Sequence, residues 1–292
     1  MNSKKHHYIP RFYLKGFTND RSSFYVYDKK IGKMWLSNPD SAFTENHRNT
    51  SVMEHLETKE VMRTDLPEEM LAYFDNKAAK VIQEVRNSKP EEIFFTPERL
   101  HEIKLFIMTT FWRTPANDHL REDIIAKSTF EDLGFGFYDK DGVRNEEIEA
   151  LIKDTDLWRK TYPALLPISG TLKKNNETKN DQWRIAYRTS NIHLVTDNPI
   201  ILKEYSGFGS FQKDLIAPLT SKHLLIVTEK ISANSLAPVF SLQTDLLLYH
   251  RATRYVASAD ESYLKFIVDE STKLNNPGWE NLLLESIFGH FN

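Results

Sequence analysis

Ser23-Phe24-Tyr25-Val26-Tyr27-Asp28 and Lys33-Met34-Trp35-Leu36-Ser37, joined by Lys29-Lys30-Ile31-Gly32, are the stretch on which the fold turns. Phe24, Val26 and Asp28 alternate against Tyr25 and Tyr27, which is the period of a strand, and the pair predicts a β-hairpin. Strand-like runs return only after about residue 163. Trp183, Ile185 and Tyr187 alternate with Arg184, Ala186 and Arg188; His193-Leu194-Val195 leads into the turn Thr196-Asp197-Asn198-Pro199; Ile200-Ile201-Leu202 and Leu224-Leu225-Ile226-Val227-Thr228 follow. Between the two sets, the period changes. Pro67 opens a helix with Met70, Leu71, Phe74, Ala78, Val81, Ile82 and Val85 on one face. Thr96-Pro97-Glu98 caps a second helix through Leu100, Ile103, Ile107 and Phe111, which ends at Pro115. Two more helices follow Asp118 and Asn145, and helix-like spacing returns over roughly 243–274.

Strands, helices, then strands and helices again predict an α+β fold. We expect a mixed or antiparallel sheet built from the N-terminal hairpin and the C-terminal strands, with the helical segment between. This describes one interwoven domain over 1–292 with a helical subdomain at about 67–160. Lys173 to Asp181 is polar throughout and reads as an exposed, mobile loop.

Composition narrows the chemistry. Of the 292 residues, 40% are hydrophobic and 12% aromatic, ample for a core, so disorder is excluded. The net charge of −3 does not indicate a globally basic nucleic-acid binder, although a local patch is compatible with it. The absence of cysteine excludes disulfides, zinc–thiolate and iron–sulfur sites, and cysteine nucleophiles. There is no apolar run of about 18 residues and no secretory signal, so a soluble cytoplasmic protein without membrane contact is the expectation. Walker, GxGxxG, GxSxG and HExxH motifs are all missing.

Five residues can carry catalysis. His6 and His7 are candidate general bases, acids or metal ligands, but neighbours on an extended segment face opposite ways, so only one should face a pocket. Arg113, at a helix end, suits either the helix dipole or a guanidinium fork on a carboxylate or phosphate. Asp197 and Asn198 can ligate a metal or orient water, or form an Asx-turn stiffened by Pro199. Around the histidines, Tyr8, Arg11, Phe12, Tyr13 and Lys15 offer phosphate contact and base stacking, or an amphipathic segment with solvated cations. Glu54 and Glu60 are further carboxylates within reach in principle.

The segment Lys4-Lys5-His6-His7-Tyr8-Ile9-Pro10-Arg11-Phe12-Tyr13-Leu14-Lys15-Gly16-Phe17 resembles the N-terminal signature of the family called domain of unknown function 4238. The order of Val26-Tyr27-Asp28-Lys29, the Glu54 to Glu60 region, Arg113-Thr114-Pro115, Thr196-Asp197-Asn198-Pro199 and Pro218-Leu219-Thr220 extends the resemblance from about residue 4 to about 260. It implies a prokaryotic cytoplasmic protein, no established activity, and convergence of His6, His7, Arg113, Asp197 and Asn198 on one pocket. The leading expectation is a nuclease-like hydrolase of RNA or DNA phosphodiesters. In it, a histidine serves as acid or base, Arg113 steadies phosphate charge, and Asp197-Asn198 position the histidine, a water or a divalent cation such as magnesium or manganese. The alternative is a non-catalytic binding or sensor protein in which the same residues form a structural polar network. A small-molecule hydrolase or transferase is a third.

Overall fold

A computed structural model describes residues 4–54, 58–88, 96–172, 182–188, 193–207, 211, 213–229, 238–274 and 276–291. The polar segment 173–181 lies outside them.

The N-terminal part contains strand β1 (Lys5–His7), a single helical turn α1 (Arg11–Leu14), and the expected hairpin, β2 (Phe24–Asp28) and β3 (Lys33–Ser37). Next come β4 (Thr44–Asn46), which pairs with β1, and a second hairpin of β5 (Ser51–Glu54) and β6 (Val61–Thr64) that the sequence did not announce. The middle is helical: α2 (Leu66–Asn87), α3 (Pro97–Arg113), α4 (Asp118–Lys127), α5 (Glu146–Lys153) and α6 (Asp156–Leu172). Thr96 accepts from the Arg99 amide at 3.3 Å, so the expected cap forms, and Asn145 caps the helix that follows it in the same way, accepting from the Ile148 amide at 3.0 Å. One boundary differs. The strand-like region was expected from about 163, yet α6 continues to Leu172 through Pro163 and Pro167. Prolines usually break helices, but α6 packs along α2 and α3, and tertiary burial overrides the local penalty.

The C-terminal part holds β7 (Trp183–Tyr187), β8 (Val195–Thr196), β9 (Ile201–Leu202), β10 (Leu215–Pro218) and β11 (His223–Val227), followed by α7 (Pro238–Arg251), β12 (Tyr255–Ser258), α8 (Glu261–Lys273) and α9 (Trp279–Gly289). β12 interrupts the region expected to be helix-like. All four of its residues are at least half-buried, so it shows no polar alternation by which to be read.

Two four-stranded antiparallel sheets result, ordered β3-β2-β12-β8 and β7-β11-β10-β9. The N-terminal hairpin thus joins a C-terminal strand, with Val26 opposite Ala257. The period of two divides the apolar residues between two cores. Phe24, Val26, Leu215, Ala217, Leu225 and Val227 pack with α2, α3 and α6, while Tyr25, Tyr27, Ile216, Leu224 and Ile226 pack with α7, α8 and α9. Sheets buried on both faces explain why Leu224 to Val227 reads as a continuous apolar run.

His223 begins β11 almost fully buried, its Nδ1 2.8 Å from Thr220 Oγ1 and its ring 5.1 Å from that of Tyr187. Burial pushes its pKa down to about 4, aided by His193 and Lys222 and opposed by the Ser88 carbonyl. Because the unfolded imidazole titrates near 6.5, the unfolded chain binds more protons between that pH and about 4. Stability from a neutral His223 is therefore fully present above pH 6.5 and lost as pH falls toward 4. Urea unfolding across this range should show a shallower acid loss in His223→Gln than in wild type; parallel slopes would contradict the assignment.

Candidate functional site

β1 runs antiparallel to β4, with His6 opposite Glu45 and His7 opposite Thr44. The strand turns the two histidines to opposite sides, as their adjacency predicted. His6 is 2% exposed, and its Nδ1 accepts from the Asn49 amide at 3.0 Å. An amide can only donate, so the His6 proton resides on Nε2. Glu68 of α2 stands 4.0 Å from that Nδ1 and accepts from Asn49 Nδ2 at 2.6 Å. His6 is thereby built into the fold.

His7 is half-buried, with Nε2 2.9 Å from the Pro39 carbonyl. A carbonyl only accepts, so Nε2 carries the hydrogen and Nδ1 keeps its lone pair. Burial lowers its pKa, with Arg11 and Arg113 acting in the same direction and the Pro39 carbonyl and Glu68 opposing. At neutral pH His7 is an uncharged imidazole held by one nitrogen. Nδ1 has no hydrogen-bond partner among the described residues.

Arg113 closes α3 and is 3% exposed. Its Nη1 reaches both carboxylate oxygens of Asp75 on α2, at 2.8 and 3.1 Å, and Nη2 donates to the His7 carbonyl at 2.7 Å. The Arg113 carbonyl in turn accepts from Arg48 Nε at 3.2 Å, and Arg48 also binds Glu45 and Asp118. The fork is aimed at a carboxylate, as one reading had it, but the carboxylate belongs to the chain. It ties α2, α3 and β1 together.

Asp197 follows β8 and is 4% exposed. Its two oxygens accept from the amides of Thr253, Arg254 and Tyr255 at 2.9, 2.7 and 3.0 Å. Burial raises its pKa, and those three donors and Lys29 pull the other way. Asn198 donates its backbone amide to Thr196 Oγ1 at 3.2 Å and its side-chain amide to the Arg251 carbonyl at 3.4 Å. Lys29 grips the same turn between α7 and β12, donating to the carbonyls of Tyr249, His250 and Ala252 at 2.7, 3.3 and 2.6 Å. That places a cation at a helix C-terminus. Arg254 completes the clamp with Asp28, 2.8 Å away.

Residue by residue, the arrangement is that of a junction. His7 and Arg113 meet directly. Asp197 and Asn198 form a second group; Tyr8, next to His7 in the chain, feels its charge, the buried hydroxyl having its pKa raised by desolvation and then by Asp197. Tyr8 and Tyr13 lie inside the core and offer no stacking face. Tyr13 donates to the Pro218 carbonyl, and the Gly16 carbonyl accepts from the Ser221 amide at 2.9 Å. A side chain at Gly16 would meet Thr220 Cγ2 at 3.2 Å. Arg11 and Lys15 are exposed, Arg11 pairing with Asp40. The carboxylate beside the histidines is Glu68; Glu54 pairs with Lys59 instead. Among the described residues, no group of three or more His, Asp or Glu side chains is placed to hold a metal ion.

Most of the sequence blocks that resembled a known signature touch one another; the Glu54 to Glu60 region is not among them, Glu54 pairing with Lys59. A family model described as "Protein of unknown function (DUF4238)" matches residues 5–262. The chain belongs to this family. No curated protein and no solved structure matches it. In this DUF4238 chain, His-His-Tyr-Ile-Pro meets Arg113, Tyr-Leu-Lys-Gly meets Pro218-Leu219-Thr220-Ser221, and Asp28-Lys29 meets the same turn as Asp197. Asp75 and Glu68 were missed by the sequence reading. A signal existed: they stand seven residues apart, so near one line of α2, and Asp75 adjoins the buried Phe74. Arg48 and Asn49 carry no comparable mark.

Proposed function

We propose that this chain is a cytoplasmic, non-catalytic binding or sensor protein whose signature residues form a structural polar network. What carries this reading is Asp197: a carboxylate already accepting three backbone amides has little capacity left for a metal or a water. Arg113, engaged on Asp75 and the His7 carbonyl, supports it in the same way. On this reading the opening segment is a plug that joins the two groups of helices and strands.

A phosphodiesterase reading has two observations in its favour. His7 presents a neutral Nδ1 while its other nitrogen is fixed by a carbonyl, which is the state a general base needs. Exposed Arg11 and Lys15 stand nearby in sequence as phosphate contacts. One experiment separates the two. Purified protein is incubated with tRNA, total RNA and plasmid DNA, with and without magnesium or manganese. The network reading expects intact substrates throughout. Cleavage that His7→Ala abolishes, with the melting temperature unchanged, would overturn it in favour of the nuclease.

A further inference from the structure

The region from Glu131 to Asp156 contrasts with the rest of the molecule. It contains nine acidic and three basic residues, a local charge of −6 in a chain whose net charge is −3. Two of the three cations are used internally. Arg144 is gripped by Glu149 at 2.9 Å from both Nε and Nη2 and by Glu131 at 2.8 Å, and Lys153 donates to the Ser128 carbonyl at 2.7 Å. Arg144 offsets two of the acids in turn, so the local charge stays at −6.

The same region exposes apolar side chains. Tyr138, Val143 and Leu151 are each more than 60% exposed and Ile148 is 43% exposed. On α5 the inward side is made by Glu149 and Ile152, so Ile148 and Leu151, one turn apart, form an outward strip. Glu147 and Asp154 are exposed beside it. Next to the helix lies an open cavity of about 520 Å³ lined by Glu131, Gly134, Phe135, Gly136, Tyr138 and Arg144. Glu131, 80% exposed, lines it together with Tyr138; its Oε2 holds Arg144, and its Oε1 has no partner among the described residues.

Charge decides what such a surface takes. Nucleic acids and anionic membrane surfaces are repelled by it. A basic segment gains long-range attraction, while aliphatic groups gain burial on Ile148 and Leu151. We propose that residues 131–156 form a docking surface for a basic, amphipathic segment of a partner protein. Its aliphatic side chains lie over Ile148 and Leu151, and one lysine or arginine enters the cavity lined by Glu131 and Tyr138 to reach the Glu131 oxygen that the Arg144 pair leaves open. The surface is separate from the histidine junction and holds whether or not the chain is an enzyme.

Fluorescence anisotropy tests this with the full chain and a dye-labelled helical peptide of leucine and lysine, about 18 residues long. Two control peptides carry glutamate for lysine and serine for leucine. Binding of the leucine–lysine peptide alone is expected, weakening at least tenfold as salt rises from about 0.1 M to about 0.5 M. Ile148→Ser with Leu151→Ser, and separately Glu131→Gln with Tyr138→Ala, should each weaken it about tenfold at unchanged melting temperature. Asp269→Asn with Glu285→Gln, exposed acids on α8 and α9, should leave it unaltered. Absence of binding, equal binding of the serine peptide, or indifference to both double variants would overturn the assignment.

Discussion

Asp197→Ala is expected to lower the unfolding free energy by about 3–5 kcal/mol, because a carboxylate only 4% exposed is the shared acceptor of three amides, which lose it at once. Truncating the side chain to a methyl group leaves the amides of Thr253, Arg254 and Tyr255 without the acceptor that orders them. The turn that feeds β12 into the sheet then has no organiser on that side. Asp197→Asn should cost less, since one oxygen remains, although its amide now points donors at donors. Urea denaturation read by far-ultraviolet circular dichroism measures both. A near-wild-type midpoint for Asp197→Ala would show that the carboxylate is not structural, and would return it to the list of candidate catalytic groups.

Arg113→Met should cost a comparable amount, about 3–5 kcal/mol, for a different reason. The guanidinium itself is replaced by a side chain that packs acceptably, but Asp75 is left behind. Burial already raises the pKa of Asp75, and Arg113 is the largest influence opposing that rise. Without its partner the carboxylate either takes a proton or stays charged with only partial access to solvent and Glu68 nearby, and the His7 carbonyl loses its donor as well. The cost lies in the unpaired carboxylate, so Arg113→Met combined with Asp75→Leu should recover a substantial part of the loss. Equal instability of the single and double variants would locate the effect elsewhere, in the His7 contact.

The fold was largely legible where one physical rule acted alone. The first strand of the hairpin, Phe24–Asp28, alternated, α2 and α3 showed a buried stripe, and Thr96 stood where a cap belongs. It was illegible where burial removed the pattern or packing overrode a propensity: β12 has no polar face, and α6 carries two prolines. For the site, types and positions were readable but partners were not. His6 and His7 had to diverge because the strand period requires it. Nothing local, however, told that Arg113 would meet Asp75, or that Asp197 would meet a turn more than fifty residues ahead. Contacts of that range are set by topology, which composition and spacing do not encode.

The pairing of β2 with β12 also has a bearing on how the chain is made. Phe24 and Val26 leave the ribosome early, but the strand that completes their sheet, Tyr255–Ser258, is translated more than two hundred residues later. At synthesis rates of about 5–20 residues per second, that interval is roughly 10–45 s. Throughout it, β2 presents an unpaired edge and aromatic side chains to a crowded solution. Biogenesis of this protein therefore passes through a window of vulnerability that closes only when Tyr255–Ser258 has been made and has paired with β2.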